Sequence, residues 1–223
     1  MNGDVASDGR AGETLSMRQE FIAAIRANKE LFGVELSDQV IERLADYYQL
    51  VQEANPILHL AAPSTPEVFA TRHILESLTL LKHLPTGARF GDIGPGAGLP
   101  SIPCLIARDD LTAVLIESKE KKSKFLESAA SNLFDPKRVE VINLQFEEVR
   151  EHDLRVVTCR ALDKFVDKLP GFVKWAKGAR LFLFGGHGVR EGLDKLRIKY
   201  DTETMPLSEQ RFLLASRESQ KKQ

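Results

Sequence analysis

Cysteine is nearly missing from the 223-residue chain, which has only Cys104 and Cys159. Two cysteines that far apart match no paired-ligand spacing, so a disulfide scaffold and a zinc site are both disfavoured and a reducing compartment is expected. The five histidines fall in no ligand pattern either, and no metal is expected. Long apolar runs are also missing. Nothing approaches the roughly 18 uninterrupted apolar residues of a membrane span, and residues 1–16 have no apolar stretch of a secretory leader. The expected location is therefore the cytoplasm. Charge of one sign is lacking as well: Lys+Arg 31 against Asp+Glu 32 leaves a formal charge of −1. No global basic field attracts a polyanion, so any nucleic-acid contact must come from a local patch. What is present, 43% hydrophobic and 28% charged residues, suits one folded domain with an extension.

Periodicity divides the chain. From Met17 to Leu84 apolar residues recur at helical spacing: Phe21, Ile22 and Ile25, then Val40, Leu44, Tyr47 or Tyr48 and Val51. Ser37 is placed to cap the second helix, and Ser64-Thr65-Pro66-Glu67 has the spacing of a capping box from Ser64 to Glu67. From Ala88 short apolar runs alternate with amphipathic segments, the pattern of βαβ units and a parallel sheet. Strands are predicted over 89–93, 112–117, 139–143, 155–158 and 180–184, with helices over 100–108, 120–132 and 163–176. Stretches 196–204 and 210–216 read as an antiparallel pair at one edge. Residues 1–15 are expected to be disordered, 16–84 to form a helical N-terminal extension, 85–216 the α/β domain and 217–223 a flexible tail.

One strand runs straight into Gly94-Pro95-Gly96-Ala97-Gly98, followed by a helix with Pro100 and Pro103 in its first turn. Glycines there allow a sharp turn and close approach of a ligand, and a helix N-terminus favours an anionic group. The dinucleotide fingerprint G-x-G-x-x-G fails because Leu99 stands where its last glycine belongs, and no G-K-(S/T) follows for a Walker loop. Glu117 ends the second strand 23 residues after Gly94, near the spacing of an acid that holds ribose hydroxyls. This is the arrangement of S-adenosylmethionine (SAM) methyltransferases.

Four segments carry a closer likeness. Arg72-His73-Ile74-Leu75-Glu76-Ser77-Leu78, Asp92 to Pro103, Glu117-Ser118 with Lys121-Lys122 and Phe125-Leu126, and Cys159-Arg160-Ala161 resemble motifs of the ribosomal small-subunit methyltransferase G family, also called glucose-inhibited division protein B. The resemblance covers about Tyr47 to Phe212. It implies a doubly wound, mostly parallel α/β sheet of the SAM-dependent methyltransferase (Rossmann-like) type, and methyl transfer from SAM to a guanine N7 of 16S rRNA. The partner would be 16S rRNA or the small ribosomal subunit, met by a monomer with no membrane or metal.

The resemblance also places the site. SAM would be held by Asp92, Gly94, Gly96, Gly98, Leu99, Glu117 and Glu147. RNA would meet Arg72, His73, Lys121, Lys122, Arg160 and Arg211, with Arg160 positioning the substrate past the fourth strand. No general base is expected, since N7 carries a lone pair and no proton. Two departures from the family pattern stand out: His59 where an asparagine is usual, and Gly185 where a lysine is usual. They keep open a different RNA or small-molecule substrate, or a non-catalytic SAM-binding assembly factor.

Overall fold

Short aliphatic runs separated by amphipathic segments bury both faces of a strand only when helices cover both sides of a parallel sheet. The computed structural model, which describes residues 6–150, 153–160 and 165–217, has that form. Helices α1 (Ala6–Asn28) and α2 (Asp38–Leu58) come first. A continuous helical run over 66–83, labelled α3, passes from an α turn into π-helical Phe69–Leu75, back to α at Glu76–Leu78 and into a 3-10 turn at Thr79–His83. Then β1 (Arg89–Ile93), α4 (Ser101–Ala107), β2 (Thr112–Ile116), α5 (Glu120–Leu133), β3 (Val139–Ile142) and β4 (Val156–Arg160) alternate. Helix α6 (Phe165–Trp175), β5 (Arg180–Gly185), α7 (His187–Lys195), β6 (Tyr200–Thr204) and β7 (Phe212–Ser216) complete the described chain.

The sheet order is β3-β2-β1-β4-β5-β7-β6. Strands β1 to β5 pair in parallel, while β7 runs antiparallel between β5 and β6. Side chains alternate between the faces with period two. Phe90, Ala113, Leu115, Phe182 and Leu213 pack with α1 to α5, whereas Ile93, Val114, Ile116, Leu183 and Leu214 pack with α6 and α7. Phe21, Ile25, Leu44 and Tyr47 share the first of these cores, so the N-terminal helices are cemented to the sheet.

Several expectations shift. Helix α1 begins at Ala6, so residues 6–15 are helical where disorder was expected. From Ala6 to Ser16 the sequence has one large apolar residue, Leu15, so it leaves no helical periodicity to read. Residues 1–5 and 218–223, the remainder of both expected disordered ends, lie outside the described residues. The cap of α3 is Thr65, whose hydroxyl accepts from Val68 N at 3.3 Å, with Pro66 at the first helical position; Ser64 is one residue too early. Ser37 caps α2 as expected, accepting from Val40 N.

Candidate active site

Strand β1 lies between β2 and β4, so connections leave the carboxyl ends of β1 and β4 in opposite directions and open a crevice there. The crevice is a cleft of about 1040 Å³. Gly94 to Ala97, Leu99, Glu117 and Lys122 line it on the β1–β2 side, and Arg72, His73, Glu76, Arg160 and Arg211 on the β4–β5 side.

The glycine loop is held mostly by itself and its neighbours. Gly94, Gly96 and Gly98 all have positive φ, at 66°, 58° and 99°, a region side chains other than glycine enter at a cost. Gly94 N donates to Ile116 O, Gly96 N to Glu117 Oε2 at 3.1 Å, and Gly98 N and Leu99 N to Pro95 O. These amides are therefore satisfied internally, and the anion cradle expected from the glycines reduces to shape. The three glycines also differ in role. At Gly96 a Cβ would meet nothing nearer than Lys122 Nζ at 3.9 Å, so a ligand has room. At Gly98 it would lie 2.3 Å from Ile102 Cδ1, and Gly98 does not line the cleft. Gly98 thus supplies the close loop-to-helix packing that Leu99 cannot. From α2, the buried Tyr47 hydroxyl donates to Ala97 O at 2.8 Å and clamps the loop from behind.

Two carboxylates support this side. Glu117, 5% exposed, accepts from Gly96 N and from Lys119 N at 2.9 Å, one bond per oxygen, and still faces the cleft. Asp92 is fully buried behind the loop and does not line the cleft. Its Oδ2 accepts from Ser101 Oγ, and its Oδ1 has no partner among the described residues. Burial, reinforced by the charge of Glu117 and opposed by the Ser101 hydrogen bonds, pushes its carboxyl up to about 8, so it is neutral at pH 7.

On the other side a buried acid gathers two arginines. The Glu76 side chain, 3% exposed, accepts from Arg211 Nε at 2.7 Å through Oε1 and from Arg160 at 3.1 Å through Oε2. Arg160 also donates to Ser77 Oγ and to the Arg72 carbonyl, and its guanidinium lies over the Phe184 ring. Beside them His73 is lowered to about 4, first by burial and then by the charges of Arg160, Arg72 and Arg211. It is a neutral imidazole in a cationic surround.

Of the residues expected from sequence, Gly94, Gly96, Leu99 and Glu117 meet in the cleft with Arg72, His73, Lys122, Arg160 and Arg211. Asp92 and Gly98 stand behind it. Glu147 is exposed in the turn Phe146–Glu148 and does not line it; the cleft residue beyond β3 is Gln145. Lys121 is exposed on α5 and also outside, because helical spacing turns Lys122 inward and Lys121 away. Ala161, part of the segment that resembles the family, lies outside the described residues. Sequence reasoning missed Glu76, Gln145, Lys168 and, in the loop between β6 and β7, the residues beside Arg211: Met205, Ser208, Glu209 and Gln210. Glu76 does leave a signal: it is the one acid in the apolar stretch from Ile74 to Leu81.

Solved structures share this architecture. A SAM-dependent methyltransferase from Aquifex aeolicus superposes with a TM-score of 0.52 at 14% identity, covering 77% of this chain and 97% of its own. A candidate S-adenosyl-L-methionine-dependent methyltransferase from Methanococcus maripaludis gives 0.55 at 13% identity, covering 83% and 97%. The fold, with its glycine loop at the switch point of the sheet, is that of the SAM-dependent methyltransferases. Within that class, the family model described as rRNA small subunit methyltransferase G matches residues 40–215. Relatives bearing the name ribosomal RNA small subunit methyltransferase G include one from Nitrosospira multiformis, 38% identical over 65% of this chain and 64% of its own. Another, from Neisseria meningitidis, is 32% identical over 73% of this chain and 75% of its own. The chain belongs to the rRNA small subunit methyltransferase G family. The match spans about two thirds of the length of the relatives from Nitrosospira and from Sorangium cellulosum, 64% and 66%.

Proposed function

We propose that this chain transfers the methyl group of SAM to the N7 of a guanine in 16S rRNA, working as a cytoplasmic monomer without a metal. One observation carries the reading: a single cleft joins a glycine loop and a buried glutamate on one side to an arginine cluster on the other, in a chain of this family. The residues fit the cofactor. The space beside Gly96 admits a ligand against the main chain, and each Glu117 oxygen keeps lone-pair capacity after its one amide bond. Gly94 to Ala97 would meet the methionine part and Glu117 the ribose hydroxyls, with Gln145 on the lining beyond β3. When bound, SAM supplies an electrophilic methyl group.

The chain's own groups suit a reaction governed by alignment. Guanine N7 has a free lone pair, so no base is needed, and the rate depends on holding the two reactants in line. The cleft matches that requirement: His73 is a poor base at about 4, and Asp92 is sealed behind the loop. Arg72, Lys122 and Arg211 supply positive charge for the RNA, and Arg160 fixes the floor between them.

Incubation with labelled SAM and unmodified 16S rRNA tests the reading. Label should enter the RNA, and borohydride and aniline should then cleave the chain at one guanine. A different reading, the same chemistry on another RNA, is favoured by Gly185: a Cβ there would lie 2.5 Å from Val189 Cγ2, so α7 occupies the place where the family usually carries a lysine. SAM binding with no label in 16S rRNA would replace the first reading by that one.

A further inference from the structure

This inference deepens the proposed function and rests on it. A carboxylate with a 3% exposed side chain is rarely kept without partners, and Glu76 has two, from different parts of the fold. Arg160 comes from the end of β4, and Arg211 from the loop joining β6 to β7. The two guanidinium groups are engaged differently. Arg160 has an 11% exposed side chain and spends both terminal nitrogens on Ser77 Oγ, the Arg72 carbonyl and Glu76. Arg211 is 33% exposed and binds Glu76 only through Nε. Arg211 lines the cleft, and among the described residues its terminal nitrogens have no hydrogen-bond partner. Its backbone is fixed too, because Met205 N donates to Arg211 O at 2.8 Å and closes the loop at its base.

We propose that Glu76 is a positioning residue that locks Arg160 into the floor and orients Arg211, whose terminal nitrogens bind a backbone phosphate of the RNA next to the target guanine. A guanidinium gripped at Nε still presents a planar pair of N–H groups, the geometry that meets two oxygens of one phosphate. The exposed Arg72 lies beside the same cluster and lines the cleft. With one carboxylate against three guanidinium groups, the cluster stays cationic. Arg160, the arginine a sequence reading singles out for substrate, is by this account part of the frame, and the contact passes to Arg211.

Salt dependence separates contact from framework. Each phosphate contact to single-stranded nucleic acid contributes about −0.7 to the slope of log K against log salt. Binding of an unmodified 16S rRNA fragment would be measured from 50 to 300 mM salt for the wild type, Arg211→Gln, Arg211→Lys and Glu76→Gln, with SAM affinity by calorimetry for each. Arg211→Gln should weaken RNA binding about tenfold and flatten the slope by about 0.7, leaving SAM affinity within twofold. Arg211→Lys should keep the slope and lose part of the affinity, because charge remains and the anchored fork does not. Glu76→Gln should raise the RNA concentration for half-maximal methyl transfer with the slope unchanged; should it fail to fold, the Arg211 pair decides alone. An unchanged slope in Arg211→Gln, with the wild type methylating 16S rRNA, overturns this inference only. A wild type that binds SAM and no rRNA overturns the functional reading and this one together.

Discussion

The two sides of the cleft are built on opposite plans. The glycine-loop side comes mainly from one stretch of chain, Asp92 to Lys122, with Tyr47 and Gln145 added from outside it, and works mainly through backbone: positive-φ glycines, internally paired amides and one carboxylate bound to main-chain N–H groups. The arginine side is assembled from α3, the end of β4 and the loop between β6 and β7, and works through side chains meeting on Glu76. Local backbone design tolerates little substitution and is readable in one dimension. A charge cluster built from distant segments exists only once the sheet has brought them together.

The largest expected effect breaks the first plan. Gly98→Ala combines a left-handed backbone penalty with a Cβ 2.3 Å from Ile102, so stability should fall by about 4 kcal/mol. Gly96→Ala meets a milder φ, 58° against 99°, and open space around it, and should lose only about 1 kcal/mol while weakening SAM binding. Urea unfolding and calorimetry compare them. Equal stability losses would mean that the loop glycines are interchangeable and the assigned roles wrong.

Those same differences explain what could be read beforehand. The strands β1, β2 and β5, the alternation of strand and helix and the glycine loop are legible because each is a contiguous pattern with its own physical reason, while the doubly wound order is implied by the family resemblance. Helix α7 escaped notice because Gly186-His187-Gly188 and Gly192 look like a loop. One of these glycines is there for packing: a Cβ at Gly192 would lie 2.7 Å from Leu169 Cδ2, across the contact with α6, whereas one at Gly188 would make ordinary contact with Val166 Cγ2 at 3.4 Å. Glu147, the residue expected at the cofactor, lies off the cleft, and the bend after β3 that puts Gln145 on its lining leaves no mark in the sequence. Glu76 lies inside a motif that resembles the family, but its two partners are 84 and 135 residues away in sequence, so its role is not legible there.

Next in size is Arg160→Ala on the arginine side. Removing one partner of a buried pair should destabilise the protein by about 3 kcal/mol, and misplacing the substrate should lower methyl transfer roughly a hundredfold. Arg160→Lys, which keeps charge and loses the fork, should recover only part of either. SAM affinity in both variants should stay within about twofold of the wild type. An equal fall in SAM and RNA affinity would show that the two sides do not act separately.

Asp92 sharpens the contrast through pH. Its carboxyl, raised to about 8 chiefly by burial, keeps its proton in the native state over a range in which the unfolded chain has lost it. The native state binds more protons there, so stability falls as pH rises from about 4 and levels off above 8, with a loss of about 1 kcal/mol between pH 7 and 8. Asp92→Asn can still accept from Ser101 and has nothing to ionise. It should flatten the decline, read as the urea midpoint at pH 6, 7 and 8; an unaltered decline in the variant would assign the titration to another group.

The smallest expected effect has the opposite sign and falls on the arginine side. In the turn Met205 to Ser208, Ser208 N donates to Met205 O, Pro206 is the second residue and Leu207 the third, at φ 60°. A turn with proline second and positive φ third favours glycine at that place, and Leu207 is 63% exposed, so it recovers little by burial. Leu207→Gly removes a left-handed penalty of about 1–2 kcal/mol and adds about 0.5–1 kcal/mol of chain entropy, for a net gain near 0.5 kcal/mol. A small upward shift of the urea midpoint is the expected result. Because the loop is held at its base by the Met205–Arg211 bond and by Glu76, its tip should be replaceable without unseating Arg211. A fall in stability would instead show that Leu207 anchors the loop, and that this side depends on local backbone after all.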